Sequence, residues 1–422
     1  MASDPAVLIV GGGVAGLVAA RRLALHGRRV TVLEQSGTLG GQVARQRVGG
    51  VDLDAAAESF ATRDGTVARL LTELGLGADI VHPRSDPAWL HRADGTGVPL
   101  PATGLLGIPG DPGAADVVRV IGAAGARRAA WDALLPGWVG ADASSIGELV
   151  RRRMGRAVVD GLVAPVVRGV HSVEPDGLAL ERAAPRLRAE LRAKGSLAAA
   201  VLAIRAAAPA GSQVGGIRGG MFRLVDALVA DCERLGVAIE RGVRVERAAP
   251  HGVVVGGRHR DGVVVWACPP LRHPAGRTVT LVTLVVDAPA LDGAPRGTGV
   301  LVAPGAPGVR ARALTHLSAK WTWVAEALPG RHALRLSYDI APIDPVATAT
   351  ADAGILMGAA IDRVEDATFA TWERAGAAAG ATLPSVGETA AGTGLAAVIA
   401  QAERLARDLA GSPAIGGLRR EG

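Results

Sequence analysis

A chain of 422 residues, 49% hydrophobic and 20% charged, has enough apolar material for two or three packed domains and is not disordered. Its formal net charge of +6 rests almost wholly on arginine, since Lys194 and Lys320 are the only lysines. The basic residues are spread along the chain and aromatics make up 3%, which argues against a nucleic-acid binder and leaves carboxylated ligands or anionic lipid as the partners such a surface attracts.

Two cysteines, Cys232 and Cys268, fall in different expected elements, so neither a disulfide framework nor a metal site is expected. The first residues run into an apolar stretch without a basic segment, and no apolar run reaches the roughly 18 to 20 residues of a spanning helix. A cytoplasmic protein with at most peripheral membrane contact is expected.

In chain order, Val7 to Val10 is a continuous apolar run, as a buried parallel strand requires. Gly11 to Gly16 is a turn, Leu17 to His26 a helix stopped by Gly27, and Val30 to Leu33 a second strand. Together they make a βαβ unit. A helix over Thr66 to Leu74 ends at Gly75, and the Pro- and Gly-rich stretch from Pro83 to Pro112 predicts loops and a short hairpin. The pattern from Val117 to Leu202 is mostly helical, with Ser144 and Ser145 before Glu148 as an N-cap pair. Arg151 to Arg153 read as a solvated helix turn.

Gly219 and Gly220 open a helix from Phe222 to Leu235, followed by short strands at 237–239, 243–245, 252–255 and 263–266. Thr278 to Val286 is a strongly β-branched strand, and further strands are expected at Gly299 to Val302 and Ala333 to Tyr338. Trp321 and Trp323 alternate as on a strand and so share one face. A glycine turn at 392–394 opens a last helix of about 15 residues from Leu395.

Gly11-x-Gly13-x-x-Gly16 lies between a strand and a helix. Gly11 permits the tight turn, Gly13 lets backbone approach a pyrophosphate, and Gly16 lets the helix pack close to the strand. The helix N-terminus offers unpaired N–H groups to the diphosphate. Glu34 ends the second strand where a carboxylate accepts from ribose hydroxyls, which disfavours a 2′-phosphate. No second such motif follows, so a separate nicotinamide domain is not expected and an oxidase is favoured.

Leu39 to Gln42, directly after the acidic strand end, is typical of flavin oxidases of the amine-oxidase type. Over most of its length the chain resembles the flavin-dependent protoporphyrinogen and coproporphyrinogen III oxidases, in particular their actinobacterial members. The segments that carry this are Asp52 to Phe60 with Arg63, Pro99 to Pro101 with Leu106 to Pro109, Arg151 to Gly155 continuing to Asp176, Gly219 to Leu224, Leu314 to Trp321, and Gly392 to Val398. The resemblance implies an α/β (α+β mixed) fold: a glutathione-reductase-like FAD-binding Rossmann domain from 1–85, 212–270 and 375–422, a mixed-sheet substrate domain from 271–374, and a helical lobe from 86–211. That lobe is rich in arginine and shows no conspicuous aromatic belt.

The resemblance further implies FAD held by Gly11, Gly13, Val14, Ala15, Gly16, Glu34, Gln35, Gly40, Gly41, Gln42, Val245, Gly387, Gly392, Gly394, Leu395 and Ala396. The porphyrinogen would meet Leu105, Arg168, Gly169, His171 and Lys320. Each of the polar three has an ordinary structural reading beside this one: a satisfied core histidine, a capping arginine, a solvated lysine anchored by Trp321. The implied reaction removes a hydride and nitrogen protons stepwise until the tetrapyrrole is aromatic, with oxygen as acceptor, hydrogen peroxide as product, and hand-over of the porphyrin to a chelatase. No triad or paired-carboxylate motif is present, so no catalytic side chain is assigned and positioning is expected to do the work.

Departures from the family pattern are Ala56 in place of a glycine, His171 and Val173 in the pocket segment, Thr389 in place of an aromatic, and a short link from Trp372 to Gly387. Two alternatives stay open: an FAD- and tetrapyrrole-binding relative without turnover, and another flavin amine oxidase or desaturase.

Overall fold

The computed structural model describes residues 5–62, 64–102, 104–171, 173–207, 214–269, 277–374 and 383–411. Arg63, residues 208–213 and the link residues 375–382 lie outside them.

Strand β1 (Val7–Val10) is buried at every position, as a strand covered on both faces must be. It pairs in parallel with β2 (Val30–Glu34) and with Val263–Trp266, and Ala238–Arg241 extends the sheet in parallel beyond β2. A further bridge joins Trp266 to Ser385, with the Trp266 N–H donating to Pro384 O and the Val386 N–H to Trp266 O, both at 2.8 Å. Helix α1 (Val14–Leu25) connects β1 to β2 and begins earlier than the apolar spacing suggested, because Gly13 itself is the N-cap.

The helices Phe222–Arg234 and Leu395–Gly411 pack beside α1, with Leu17, Val18, Leu23, Leu224, Leu228 and Ile399 in one apolar layer. Arg21 is buried within it and donates to Asp231 (2.6 Å) and Glu73 (2.7 Å), so three helices share one guanidinium. An antiparallel meander, Val245–Ala249, Gly252–Val255 and Arg258–Asp261, covers the other side of the sheet.

The second sheet has seven strands in the order 363–374, 277–287, 332–338, 313–316, 299–302, 89–91, 97–99. All neighbours are antiparallel except 299–302 with 89–91. The short hairpin expected between Pro83 and Pro112 is therefore an edge of this sheet, even though it lies within the 86–211 span. Alternation splits the long strand Arg277–Asp287: Val282, Leu284 and Val286 face helix Pro345–Met357, whereas Val279 and Leu281 face an open cleft. The twelve-residue strand Arg363–Arg374 was not visible in the sequence, because an edge strand with polar residues on its solvent side has no apolar run.

Helices over 115–130, 146–154, 164–171, 187–194 and 197–206 form a lobe around Leu149, Val150, Met154, Leu162 and Leu197. The capping pair behaves as its spacing implies: Ser145 Oγ accepts the Glu148 N–H at 3.1 Å, and Glu148 Oε2 accepts the Ser144 N–H at 3.0 Å. Among the described residues no helix is long and apolar enough to cross a membrane.

Two expectations are corrected. The Arg151 to Arg153 turn is not uniformly solvated, since Arg153 is fully buried on an ion pair with Asp132. Trp321 and Trp323 are not on a strand: helices Leu317–Lys320 and Thr322–Ala327 run there. Leu317, Trp321, Val324 and Leu328 recur at helical spacing and are the residues buried against Val48, Leu53 and Val285.

Candidate active site

The glycine turn has the geometry its spacing requires. Gly11 has φ +111°, and its N–H donates to Leu33 O at 2.8 Å. A Cβ on Gly16 would stand 2.0 Å from Gly11 O, so the helix can approach the strand only without a side chain there. A Cβ on Gly13 would meet nothing within 4 Å. The glycine at 13 therefore answers no demand of the protein's own packing and leaves open space at the N-terminus of α1, where Val14 and Ala15 form the first turn. Glu34 closes this turn: Oε2 accepts the Gly12 N–H at 2.7 Å and Oε1 the Ser36 N–H at 2.8 Å. Each oxygen keeps a lone pair for a hydroxyl. Gln35 is exposed beside it.

Other segments converge on the same turn. The Gly40 N–H donates to Gly12 O at 2.9 Å, and a Cβ on Gly41 would lie 3.6 Å from Gly13 Cα. Gln42 Nε2 donates to Glu388 Oε2 at 3.0 Å across 346 residues of sequence, joining the 40–42 loop to the segment after Gly387. A Cβ on Gly387 would stand 3.7 Å from Ala15 Cβ. Gly392 (φ +85°) and Gly394 (φ +103°) then turn the chain into helix Leu395–Gly411, whose first residues Leu395 and Ala396 pack against the α1 layer. Val245 is buried with Leu33 and Trp266 beneath the ends of β1 and β2.

A cleft extends from Gln42 along the large sheet. Its walls include Ala56, Glu58, Gly169, Leu281, Thr315, Trp372 and the two arginines Arg312 and Arg335. Arg335 is 5% exposed. It donates to Glu58 Oε2 and Ala56 O, each at 3.1 Å, and also to Asp54 O. Lys320 Nζ donates to the other Glu58 oxygen at 2.5 Å. Burial alone would raise the Glu58 carboxyl, but the Lys320 ammonium and the Arg335 guanidinium outweigh it and hold the group below the usual carboxylate range. Arg312 donates to Asp339 Oδ1 at 2.7 Å and to Ser337 Oγ at 3.3 Å.

Of the five residues expected at the substrate, Gly169 is the one found on the cleft wall. Arg168 lies next to it with Nε 3.2 Å from Glu174 and Nη2 3.8 Å from Asp339, the carboxylate that Arg312 also uses. Lys320 stands one residue behind the wall, through Glu58. Leu105 packs against the lobe core and is not among the lining residues. His171 closes helix Ala164–His171, and its side chain lies outside the described residues. Ala56, where the family pattern has glycine, has no positive φ and is accommodated without strain. Glu58, Arg312 and Arg335 were assigned no role from the sequence. The available signal was a charged residue between Leu334 and Leu336, which alternation turns away from the face that Leu334, Leu336 and Tyr338 give to the core.

Asp54 stands behind this floor and accepts the Phe222 N–H at 3.1 Å, capping the helix that follows. Burial pushes its carboxyl up to about 6, against the Met221 and Phe222 N–H groups and Arg335, which favour the charged form. A folded-state value above the ordinary 3.8 means stability that is fully present below 3.8 and lost as pH rises through about 6. Asp54→Asn keeps the accepting oxygen and no longer takes up the proton. On acidification from pH 6 to 3.8 the variant should lose stability relative to the parent by about 1.4 kcal/mol per pH unit, read from denaturant midpoints. Parallel pH profiles for the two proteins would contradict the assignment.

The chain is similar to known flavin oxidoreductases. The flavin containing amine oxidoreductase family matches residues 14–270. A coproporphyrinogen III oxidase of Mycobacterium bovis is 32% identical, the match covering 82% of this chain and 78% of that one. A coproporphyrinogen III oxidase of Propionibacterium freudenreichii is 27% identical over 85% and 68% of the two chains. A solved Exiguobacterium structure, assigned as a protoporphyrinogen oxidase, shares the fold with TM-score 0.81 and 22% identity, covering 97% of this chain and 99% of that one.

Proposed function

The chain belongs to the family of flavin containing amine oxidoreductases, and from that premise we propose that it is an FAD-dependent oxidase of heme biosynthesis that converts coproporphyrinogen III to coproporphyrin III. The observation that carries this reading is the cleft. It runs from Gln42, in the loop that meets the glycine turn, to a sheet floor bearing two guanidiniums, so a carboxylated macrocycle can be brought up to a cofactor held by that turn.

The residues present fit FAD. The open space at Gly13 and the N–H groups opening α1 suit the diphosphate, Glu34 suits a ribose, and Val245 suits the adenine side. The turn at 387–394 and the start of helix Leu395–Gly411 offer N–H groups and helix dipole to the far end of the cofactor. Bound there, the flavin supplies hydride acceptance from the substrate and return of the electrons to oxygen, with hydrogen peroxide as product.

The chain's own contribution is positioning. Arg312 and Arg335 attract propionates, Gly169 and Trp372 border the ring, and Glu58 fixes Arg335 in place while its own charge is cancelled by Lys320. The preference for coproporphyrinogen III over protoporphyrinogen IX is supported by the relatives named for that activity, one of them 32% identical to this chain. The absence of a second glycine cradle in the sequence favours oxygen over a nicotinamide as acceptor. Hand-over of the product to a chelatase in the cytoplasm completes the reading.

The test is aerobic incubation of the flavin-loaded protein with coproporphyrinogen III and, separately, protoporphyrinogen IX, following porphyrin fluorescence and peroxide. A rise well above autoxidation, faster with the first substrate, is expected. Bound flavin with no rise on either substrate would overturn the proposal.

A further inference from the structure

The two guanidiniums on the cleft wall are held unequally. Arg335 shares the carboxylate of Glu58 with Lys320, so one anion there serves two cations. At the other end Arg312 donates from Nη1 to Asp339 Oδ1 at 2.7 Å and from Nε to Ser337 Oγ at 3.3 Å. Arg168 stands on the same carboxylate, with Nη2 3.8 Å from Asp339 Oδ2, and has Glu174 at 3.2 Å from its Nε. Two guanidiniums meet two carboxylates at this end, which reduces the attraction it offers to an incoming anion.

The place of Asp339 follows from the strand before it. In His332–Tyr338, alternation turns Arg335 and Ser337 toward the cleft and Leu334, Leu336 and Tyr338 toward the core, where Tyr338 Oη donates to Asp352 at 3.2 Å. Asp339 comes next on the cleft side, one residue past the strand. Its side chain is 26% exposed, against 7% for Arg312. Among the described residues Asp339 does not line the cleft itself, so it acts on a bound molecule through Arg312. The backbone of Arg312 is fixed, its N–H donating to Ser337 O at 2.9 Å and its carbonyl accepting the Val302 N–H at 3.0 Å. The head group is therefore what Asp339 and an incoming carboxylate have to share.

Oxidation of a porphyrinogen removes hydrogen from the macrocycle and leaves its side-chain carboxylates untouched. A guanidinium grips those carboxylates as firmly in the product as in the substrate. Binding of this uniform kind lowers KM without speeding the chemical step, and a grip that is too firm holds the product back.

We propose that Asp339 is a built-in counter-anion of the cleft: by occupying Arg312 it weakens the grip on a substrate carboxylate and sets how fast the carboxylated product leaves. The inference rests on the porphyrinogen reading of the cleft. Asp339 is a positioning residue in it, since it reaches the ligand only through another side chain.

The test uses the full, flavin-loaded chain and coproporphyrin III as the probe, with affinity read from porphyrin fluorescence on titration at low and at raised salt. Asp339→Asn keeps an oxygen for Arg312 and removes the charge. It should bind coproporphyrin III about tenfold more tightly at low salt, with the gain shrinking as salt is raised. In turnover with coproporphyrinogen III, KM and kcat should fall together, with a first-turnover burst of porphyrin ahead of a slower steady rate. Asp339→Glu keeps the charge and should bind as the parent does. Thermal midpoint and flavin absorbance show whether the neutral variant is folded, and Asp339→Ser takes its place if it is not. Unchanged or weakened affinity in a folded neutral variant, a gain that raised salt leaves intact, or equal tightening by Asp339→Glu would overturn the proposal. A parent that binds no coproporphyrin III would overturn the porphyrinogen reading itself and this inference with it, so the two failures are told apart.

Discussion

Gly13→Val should give a folded protein that purifies without flavin and takes up FAD at least about a hundredfold more weakly, a loss of about 2.7 kcal/mol in binding. The backbone at Gly13 is extended, with φ −71° and ψ 174°, which valine adopts readily, and a Cβ there meets no protein atom. The fold therefore has no objection to the side chain, whereas a diphosphate approaching the helix N-terminus would collide with it. Gly16→Ala makes the contrast, since its Cβ would stand 2.0 Å from Gly11 O and the damage should appear in stability itself. Flavin absorbance after purification and the thermal midpoint of the flavin-free protein separate the two. A Gly13→Val protein that retains flavin would remove the glycine turn from the binding site.

Arg153→Met should destabilise the lobe by about 3–5 kcal/mol, the usual consequence of leaving one partner of a buried ion pair behind. Asp132 is 1% exposed and would keep a charge without its guanidinium, and three further carbonyls would lose a donor. Adding Asp132→Asn to Arg153→Met should recover part of the loss, because the stranded charge is removed along with its partner. Denaturant unfolding of the single and double variants checks this. A single-variant change under about 1 kcal/mol would show that the pair contributes little and that the segment around Asp132 is held by packing.

The architecture around the glycine turn was largely legible. Val7 to Val10, Gly11 to Gly16 and Val30 to Glu34 follow local rules: a run of apolar residues, a glycine pattern, a carboxylate at a strand end. The long strand Arg277–Asp287 announced itself through β-branched residues, and the Ser145 cap through its spacing to Glu148. What escaped depends on which residues face each other across hundreds of positions. Nothing near Glu58 in sequence says that Lys320 and Arg335 will flank it, 262 and 277 residues away. The fate of the three arginines at 151–153 was decided by tertiary context: one helix face left Arg151 on Asp176 at the surface and sent Arg153 into the core. Trp131 and Trp138 stand exposed on the lobe, which the sequence was read as lacking any conspicuous aromatic belt.

The pairing of α1 with the helix Leu395–Gly411 has a bearing on how the molecule is made. Arg22 and Glu403 meet at 2.5 Å although 381 residues separate them. During synthesis α1 emerges early, yet the apolar side it presents to Ile399 and Ala402 has no cover until nearly four hundred more residues have left the ribosome. Contacts of such long range close slowly and leave sticky surface exposed meanwhile. On the proposed reading of the site, cofactor capture would belong to the last stage of folding, since the loops at 11–16, 40–42 and 387–394 come together only then. Free FAD in the cell should consequently raise the yield of native protein as much as its activity, by drawing the final closure forward.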